Sequence, residues 1–247
     1  MDRFQKEFDD YVCNFDLNDE KIKLKYNHSY RVMSLCRKYS KLLNFNDYDI
    51  KLATLIGLLH DIGRFEQLKK YNTYDDSKSI NHAEYGCKIL FEDGLISKFW
   101  DNKDDYDLIR FAIFNHNRFK IEETNSERFL KFAKLIRDTD KIDILYLESI
   151  SGNLESRLTD DSIAPEIRND FFKHDSVLLK HKKSINDHFI LYFAYAYDIN
   201  YDECLDEIKL NIENLYNNFN DKKFIFKEYY DEIIKYISER IDKNVRK

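Results

Sequence analysis

The chain has 247 residues, and its 46 acidic side chains outnumber its 40 lysines and arginines to give a formal net charge of −6. An acidic chain lacks the basic surface of a dedicated nucleic-acid-binding protein, so we expect no nucleic-acid partner. One proline and five glycines are too few for a turn-rich β protein, and 15% aromatic residues supply a dense core. The composition therefore predicts an all-α fold.

Helical spacing of apolar residues predicts six helices in the first 150 residues. They cover about 4–15, 19–43, 47–60, 82–90, 104–116 and 127–147, with Asn46, Asn81 and Ser126 as N-caps of the third, fourth and sixth. The second helix places His28 on an apolar face between Leu24 and Val32. Residues 66–80 are polar and lack periodicity, which predicts a long loop of the kind that often carries function.

The C-terminal part of the chain is also predicted to be helical. Helices are expected at about 166–181, 185–197, 202–218 and 222–244. Residues 1–150 would form one helical domain, and residues 151–247 a helical extension packed on it as one compact unit. His174, His181 and His188 recur every seven residues among charged side chains, and we interpret them as a solvated face.

No segment has the features of a membrane or secretory protein. There is no run of about 18 apolar residues, and the first residues lack the apolar core of a signal peptide. The four cysteines are widely spaced, which is typical of reduced thiols. We therefore predict a cytoplasmic protein without a membrane partner, present as a monomer or a homodimer.

Polar residues interrupt several apolar helical faces or stand at their ends. The apolar run from Leu52 to Leu59 leads directly into His60-Asp61, and His28, His82, His116 and Asp140 have similar settings. Burying so many polar groups unpaired costs on the order of several kcal/mol each, whereas a shared metal ion satisfies them together. Imidazole and carboxylate ligands suit iron, manganese, zinc or nickel better than calcium.

Two aspartates compete for one ligand position in the sequence RDTDKIDIL. Asp140 continues the apolar stripe of the sixth helix through Phe129 and Ile136, whereas Asp138 is predicted to project toward solvent or to lie behind the ligands. Asp140 is therefore the predicted ligand.

The chain resembles the HD superfamily of metal-dependent phosphohydrolases over roughly residues 25–147. The matching residues occur in the family's order: His28, His60-Asp61 in LLHDIGRFEQ, His82 in NHAEYG, His116 in FNHN and Asp140 in RDTDKIDIL. The resemblance implies an HD-domain helical bundle with His28, His60, Asp61 and Asp140 around one metal. His82 and His116 match the additional histidines of two-metal members, in which the HD aspartate bridges the ions, so Asp61 takes the bridging role. Two divalent ions are expected, with iron or manganese favoured and zinc or nickel possible.

The same resemblance indicates the reaction. Two cations that share a carboxylate can activate a bridging water and hold phosphoryl oxygens. Asp61 and Arg64 are the predicted catalytic residues, Arg64, Lys120 and Lys141 the predicted substrate-binding residues, and Glu66 and Asp143 the predicted partners that orient ligands. Because His116 is followed by Asn117-Arg118-Phe119-Lys120 rather than a Gly-Tyr-Pro segment, cyclic-di-GMP is not the favoured substrate.

Three functions fit these residues. The leading hypothesis is hydrolysis of a small phosphate ester, such as a nucleotide or related metabolite, by a metal-activated hydroxide. A di-iron HD-type oxygenase uses the same ligand pattern, so spacing alone does not separate it from a hydrolase. The third hypothesis is a non-catalytic module that senses a nucleotide or binds a partner.

Overall fold

The structure, a computed structural model, describes residues 2–152 and 154–245. Within these residues every regular element is helical and no strand occurs, which confirms the predicted all-α class. Contacts group the chain into two compact units, Met1–Asp140 and Lys141–Lys247. The division falls within one helix, and the predicted packing of a C-terminal extension onto the first domain stays a prediction.

The α-helices that begin in the first unit, in chain order, are α1 (Arg3–Val12), α2 (Glu20–Leu42), α3 (Asp47–Leu59), α4 (Gly63–Tyr71), α5 (His82–Cys87), α6 (Ile96–Phe99), α7 (Tyr106–Asn115) and α8 (Glu127–Ser149). Those that follow in the described chain are α9 (Leu154–Arg157), α10 (Pro165–Phe171), α11 (Ile185–Ala194), α12 (Leu205–Asn217) and α13 (Lys223–Val245). In the described residues, no helix is both long and apolar enough to cross a membrane.

Side-chain caps begin several of these helices where the sequence predicts them. The Asn46 side chain accepts a hydrogen bond of 2.8 Å from Asp49 N, and the Asn81 side chain accepts from Ala83 N and Glu84 N at the start of α5. Ser126 Oγ accepts from Phe129 N at 3.3 Å. Each cap satisfies backbone amides that the helix itself leaves unpaired.

Two predicted segments are wrong in their secondary structure. Residues 66–71, predicted as the start of the loop 66–80, belong to helix α4, because Phe65 and Leu68 face the core and the polar Gln67 is also buried. In the second unit, α10 ends at Phe171 instead of continuing to residue 181. His174 adopts a left-handed conformation (φ +59°), which a helix does not accommodate.

The predicted position of Leu24 on the apolar face of α2 is also wrong. Leu24 is 48% exposed, whereas Ile22, Val32 and Cys36 are buried. The true buried face includes small polar side chains, which a hydrophobicity pattern does not weight. His28 nevertheless lies on it, 1% exposed.

Candidate metal centre

Helix α3 delivers a histidine and an aspartate into the interior of the first unit. Residues 52–60 are all buried, so the helix is enclosed on every side over its last turns. It ends at Leu59, and the next two residues, His60 and Asp61, are 0% and 3% exposed. Buried imidazole and carboxylate groups require partners, and other helices supply them.

Two clusters of ligand atoms surround this pair. Ligand atoms of His28, His60 and Asp140 all lie within 4.8 Å of one another, as do those of His60, Asp61 and His116. In the first cluster, His28 Nε2 lies 3.1 Å from Asp140 Oδ1 and 3.2 Å from His60 Nε2. Residues from α2, the end of α3 and α8 therefore meet at one point.

Asp61 lies between two pairs of histidines, His28 with His60 and His82 with His116, and presents one carboxylate oxygen to each pair. Its Oδ2 is 3.4 Å from His28 Nε2 and 3.8 Å from His60 Nε2. Its Oδ1 is 3.3 Å from His82 Nε2 and 3.6 Å from His116 Nε2, and these two nitrogens are 2.9 Å apart. A carboxylate in this position can contribute to two cation sites at once.

The hydrogen bonds of the imidazole rings fix which nitrogens face inward. His60 Nδ1 and His116 Nδ1 lie 2.8 and 2.6 Å from carbonyl oxygens three residues earlier in the chain. Carbonyls only accept, so Nδ1 carries the proton and the inward Nε2 of a neutral ring has a lone pair. His82 is oriented in the same way by Asp76, at 2.7 Å from Nδ1. Lone pairs that face one another and two carboxylates fit divalent cations, which would satisfy them together.

Burial and charge favour the ionisation states that bind cations. Burial lowers the pKa of His60, and it lowers the pKa of His82 to about 4, so both rings are neutral at physiological pH. Burial alone would raise the pKa of Asp61, but the charge of the Lys25 ammonium opposes it, and this pKa lies well below its usual value. Burial alone would also raise the pKa of Asp140, but the neighbouring imidazoles, that of His28 foremost, outweigh it and hold this pKa well below its usual value.

Comparison with known proteins identifies this architecture. Residues 26–145 match the family model of the HD domain, and this range includes all six predicted ligands. These residues form an HD domain. No curated protein and no solved structure gives a significant match to the chain. Members of the superfamily are metal-dependent hydrolases of phosphate compounds, and the histidine–aspartate clusters fit divalent metal binding.

Two cationic side chains, Lys25 and Arg64, border the centre of the HD domain, and Lys25 was not predicted. Lys25 Nζ lies 2.7 Å from Asp61 Oδ2, and its side chain is 15% exposed. Arg64 Nε is farther away, 3.6 Å from Asp61 Oδ1. The Tyr74 ring lies 5.8 Å from both the Lys25 ammonium and the Arg64 guanidinium. Lys25 precedes His28 by three residues, and this helical spacing is the one sequence signal that indicates it.

A second residue that the sequence analysis missed is Asp76. Its Oδ2 accepts from His82 Nδ1, and its Oδ1 accepts from Arg64 Nη1 at 2.8 Å. Burial would raise the pKa of Asp76, but the hydrogen bond from His82 and the charge of the Arg64 guanidinium lower it to about 2. Of the residues predicted to orient ligands, Glu66 pairs with Lys70 at 3.7 Å and Asp143 is buried in the second unit.

The end of α7 that carries His116 is held by a buried arginine from α8. Arg137 is 3% exposed, and its Nη1 donates to the carbonyl oxygen of Asn115 at 3.0 Å and, over a shorter distance, to that of Arg118. These carbonyls have no partner within α7 itself. Arg137 therefore fixes the backbone from which the His116 side chain projects.

The structure corrects the prediction for Asp138 and shows the surroundings of the two predicted substrate-binding lysines. Asp138 is 0% exposed, so its predicted solvent-facing position is wrong: the consecutive residues 135–139 are all buried, and the assumption of a single buried stripe fails there. Of the predicted substrate-binding lysines, Lys120 is exposed, and Lys141, in the second unit, pairs with Asp198 at 2.9 Å.

The three histidines of the second unit have separate partners. His174 Nε2 lies 2.8 Å from Glu232, His181 Nδ1 lies 2.8 Å from Asp170, and His188 pairs with a tyrosine hydroxyl. Among the described residues, the groups with metal-binding geometry all lie in the HD domain.

Proposed function

We propose that this HD domain hydrolyses a small phosphate ester, such as a nucleotide or related metabolite, with the help of two divalent cations. The observation that carries the proposal is the position of Asp61, whose two oxygens face different histidine pairs. His28, His60 and Asp140 would hold one ion and His82 and His116 the other, with Asp61 shared. Iron or manganese are the expected ions, and zinc or nickel suit the same ligands.

The charge around the centre supports an anionic substrate. Two divalent ions together with Lys25 and Arg64 outweigh the three carboxylates of Asp61, Asp76 and Asp140. A phosphate ester is the common metabolite group that offers compensating charge and several acceptor oxygens. Bound divalent ions would supply a hydroxide nucleophile and polarise the phosphoryl oxygens.

The chain's own side chains would bind and orient the substrate. Lys25 is closer to Asp61 than Arg64 is, and an ammonium has three donors, of which the Asp61 carboxylate takes one. We assign Lys25 to the substrate phosphate. The Tyr74 ring beside it offers an apolar surface for the rest of the substrate. The predicted cytoplasmic location and the monomeric or dimeric state stay predictions.

The proposal is tested on the purified full-length chain loaded with Mn²⁺ or Fe²⁺ under anaerobic conditions. We expect phosphate release from at least one compound in a panel of nucleotides and sugar phosphates, and none from a folded His60→Ala/Asp61→Ala variant. Metal-loaded protein that releases no phosphate across the panel contradicts the proposal. Substrate-dependent oxygen consumption would instead identify an oxygenase.

A further inference from the structure

The segment between α4 and α5 crosses from the surface to the metal centre. Helix α4 ends at Tyr71, and the left-handed conformation of Asn72 after it (φ +53°) turns the chain. A short 3₁₀ turn, Asp76–Lys78, follows. The Asp76 carboxylate at its start is the group that reaches a site histidine, with Oδ2 2.7 Å from His82 Nδ1.

Asp76 is held in place by side chains from α4. Arg64 Nη1 and Gln67 Nε2 donate to Asp76 Oδ1 at 2.8 and 2.9 Å. Gln67 is completely buried and also donates to Ser79 Oγ and to the carbonyl oxygen of Ile80. The carboxylate is therefore fixed from two sides, and the segment around it is fixed to the helix that follows the HD motif.

This arrangement distinguishes His82 from two other histidines of the centre. The Nδ1 atoms of His60 and His116 face neutral carbonyls of their own helices, so their orientation is local. His82 instead faces an anion from a different segment. An anionic acceptor strengthens the hydrogen bond and increases the basicity of the opposite nitrogen, which is the one aimed at the centre.

We propose that Asp76 is the positioning residue for His82 and sets the cation affinity of the His82–His116 side, with Arg64 acting through Asp76 rather than on the substrate. The Arg64 guanidinium donates to Asp76, to Gln67 Oε1 and to the Tyr74 carbonyl, so its Nη1 is directed into this network. The inference rests on the two-cation part of the proposed function and is independent of the reaction catalysed.

The test is Mn²⁺ titration of metal-stripped full-length protein by calorimetry. Wild type is expected to bind two equivalents. Asp76→Asn keeps the shape of the side chain but removes its charge, and it should weaken one binding step by about 10- to 100-fold while leaving the other unchanged. The matched control is Asp75→Asn, because the neighbouring Asp75 caps the same turn through Ser77 and should leave both steps unchanged.

A second variant keeps the inference falsifiable if Asp76→Asn does not fold. Arg64→Met should weaken the same step, because it removes the anchor of Asp76. If Arg64 contacts the substrate instead, this variant raises KM and leaves both Mn²⁺ affinities unchanged, which would overturn the inference. A folded Asp76→Asn variant with wild-type affinities, or with both steps weakened equally, would also overturn it. Wild-type protein that binds two Mn²⁺ ions but releases no phosphate contradicts the proposed reaction alone.

Discussion

Replacing Lys25 by methionine is the most direct test of the substrate-binding side of the centre. Lys25 Nζ lies 2.7 Å from Asp61 Oδ2, and its side chain is 15% exposed, so the ammonium is largely shielded from solvent. Methionine preserves most of the length and apolar stem of the side chain while removing the charge. The change therefore isolates the ammonium from its packing.

The magnitude follows from the kind of contact that is lost. A hydrogen bond to a charged group contributes about 1.5–3 kcal/mol, and each ~1.4 kcal/mol corresponds to a factor of ten. We expect kcat/KM for the phosphate ester to fall roughly 10- to 150-fold. Because the lysine competes with cations for Asp61, Mn²⁺ affinity should stay unchanged or increase.

Steady-state kinetics and Mn²⁺ calorimetry on the same preparation separate these effects. Lys23→Met is the matched control, because Lys23 lies on the same helix but is 57% exposed and pairs weakly with Glu20 at 3.9 Å. Lys25→Arg should recover part of the lost kcat/KM. A Lys25→Met enzyme with the kcat/KM of the control, or a loss explained entirely by lower metal content, would refute the assigned role.

Three further predictions concern stability, measured by denaturant titration. Gly63→Ala should lower the free energy of unfolding by about 3 kcal/mol, because the new Cβ would lie 2.2 Å from the His82 carbonyl oxygen; Gly152→Ala, with nothing within 4 Å, should change little. Arg137→Met should cost about 3 kcal/mol by removing the charged donor to the carbonyl oxygens of Asn115 and Arg118, and an unchanged midpoint would contradict that role. Burial lowers the pKa of His188 from 6.5 to about 4 in the folded protein. As the pH falls from 6.5 to 4, this imidazole is therefore protonated in the unfolded chain but not in the folded one, and the free energy of unfolding decreases. His188→Gln should flatten this acid dependence by about 3 kcal/mol, and an unaltered pH profile would contradict it.

Local signals in the sequence were sufficient for most helix boundaries of the first unit. Caps such as Asn46 and Asn81 act on amides two or three residues away, so their effect can be recognised without knowing the fold. Residues 66–71 were misassigned to a loop because Gln67 is polar yet completely buried. Its partners, including Asp76 and Ser79, come from the segment that follows, and no periodicity within the helix reveals them.

The candidate site shows the same contrast between local and distant information. Its histidines stand out because each ends or interrupts an apolar run. Asp76 does not, since it follows Asp75 in a polar stretch and nothing in the local pattern distinguishes the two carboxylates. Only the folded chain places one against His82 and the other on the amide of Ser77.

Arg64 illustrates why the role of a charged residue is the hardest part to predict. Three residues after Asp61, helical spacing puts its guanidinium on the same side of the chain as the HD carboxylate, and either a substrate phosphate or a protein carboxylate would satisfy it there. The sequence alone does not distinguish these two partners, whereas the structure shows a protein carboxylate in direct contact with the guanidinium. Asp76 lies 2.8 Å from Nη1, so occupying Arg64 with a substrate would require breaking a partly buried ion pair whose carboxylate also holds a histidine of the centre. Lys25 faces no such conflict, because bound cations would themselves replace its charge beside Asp61 and leave its donors for the substrate.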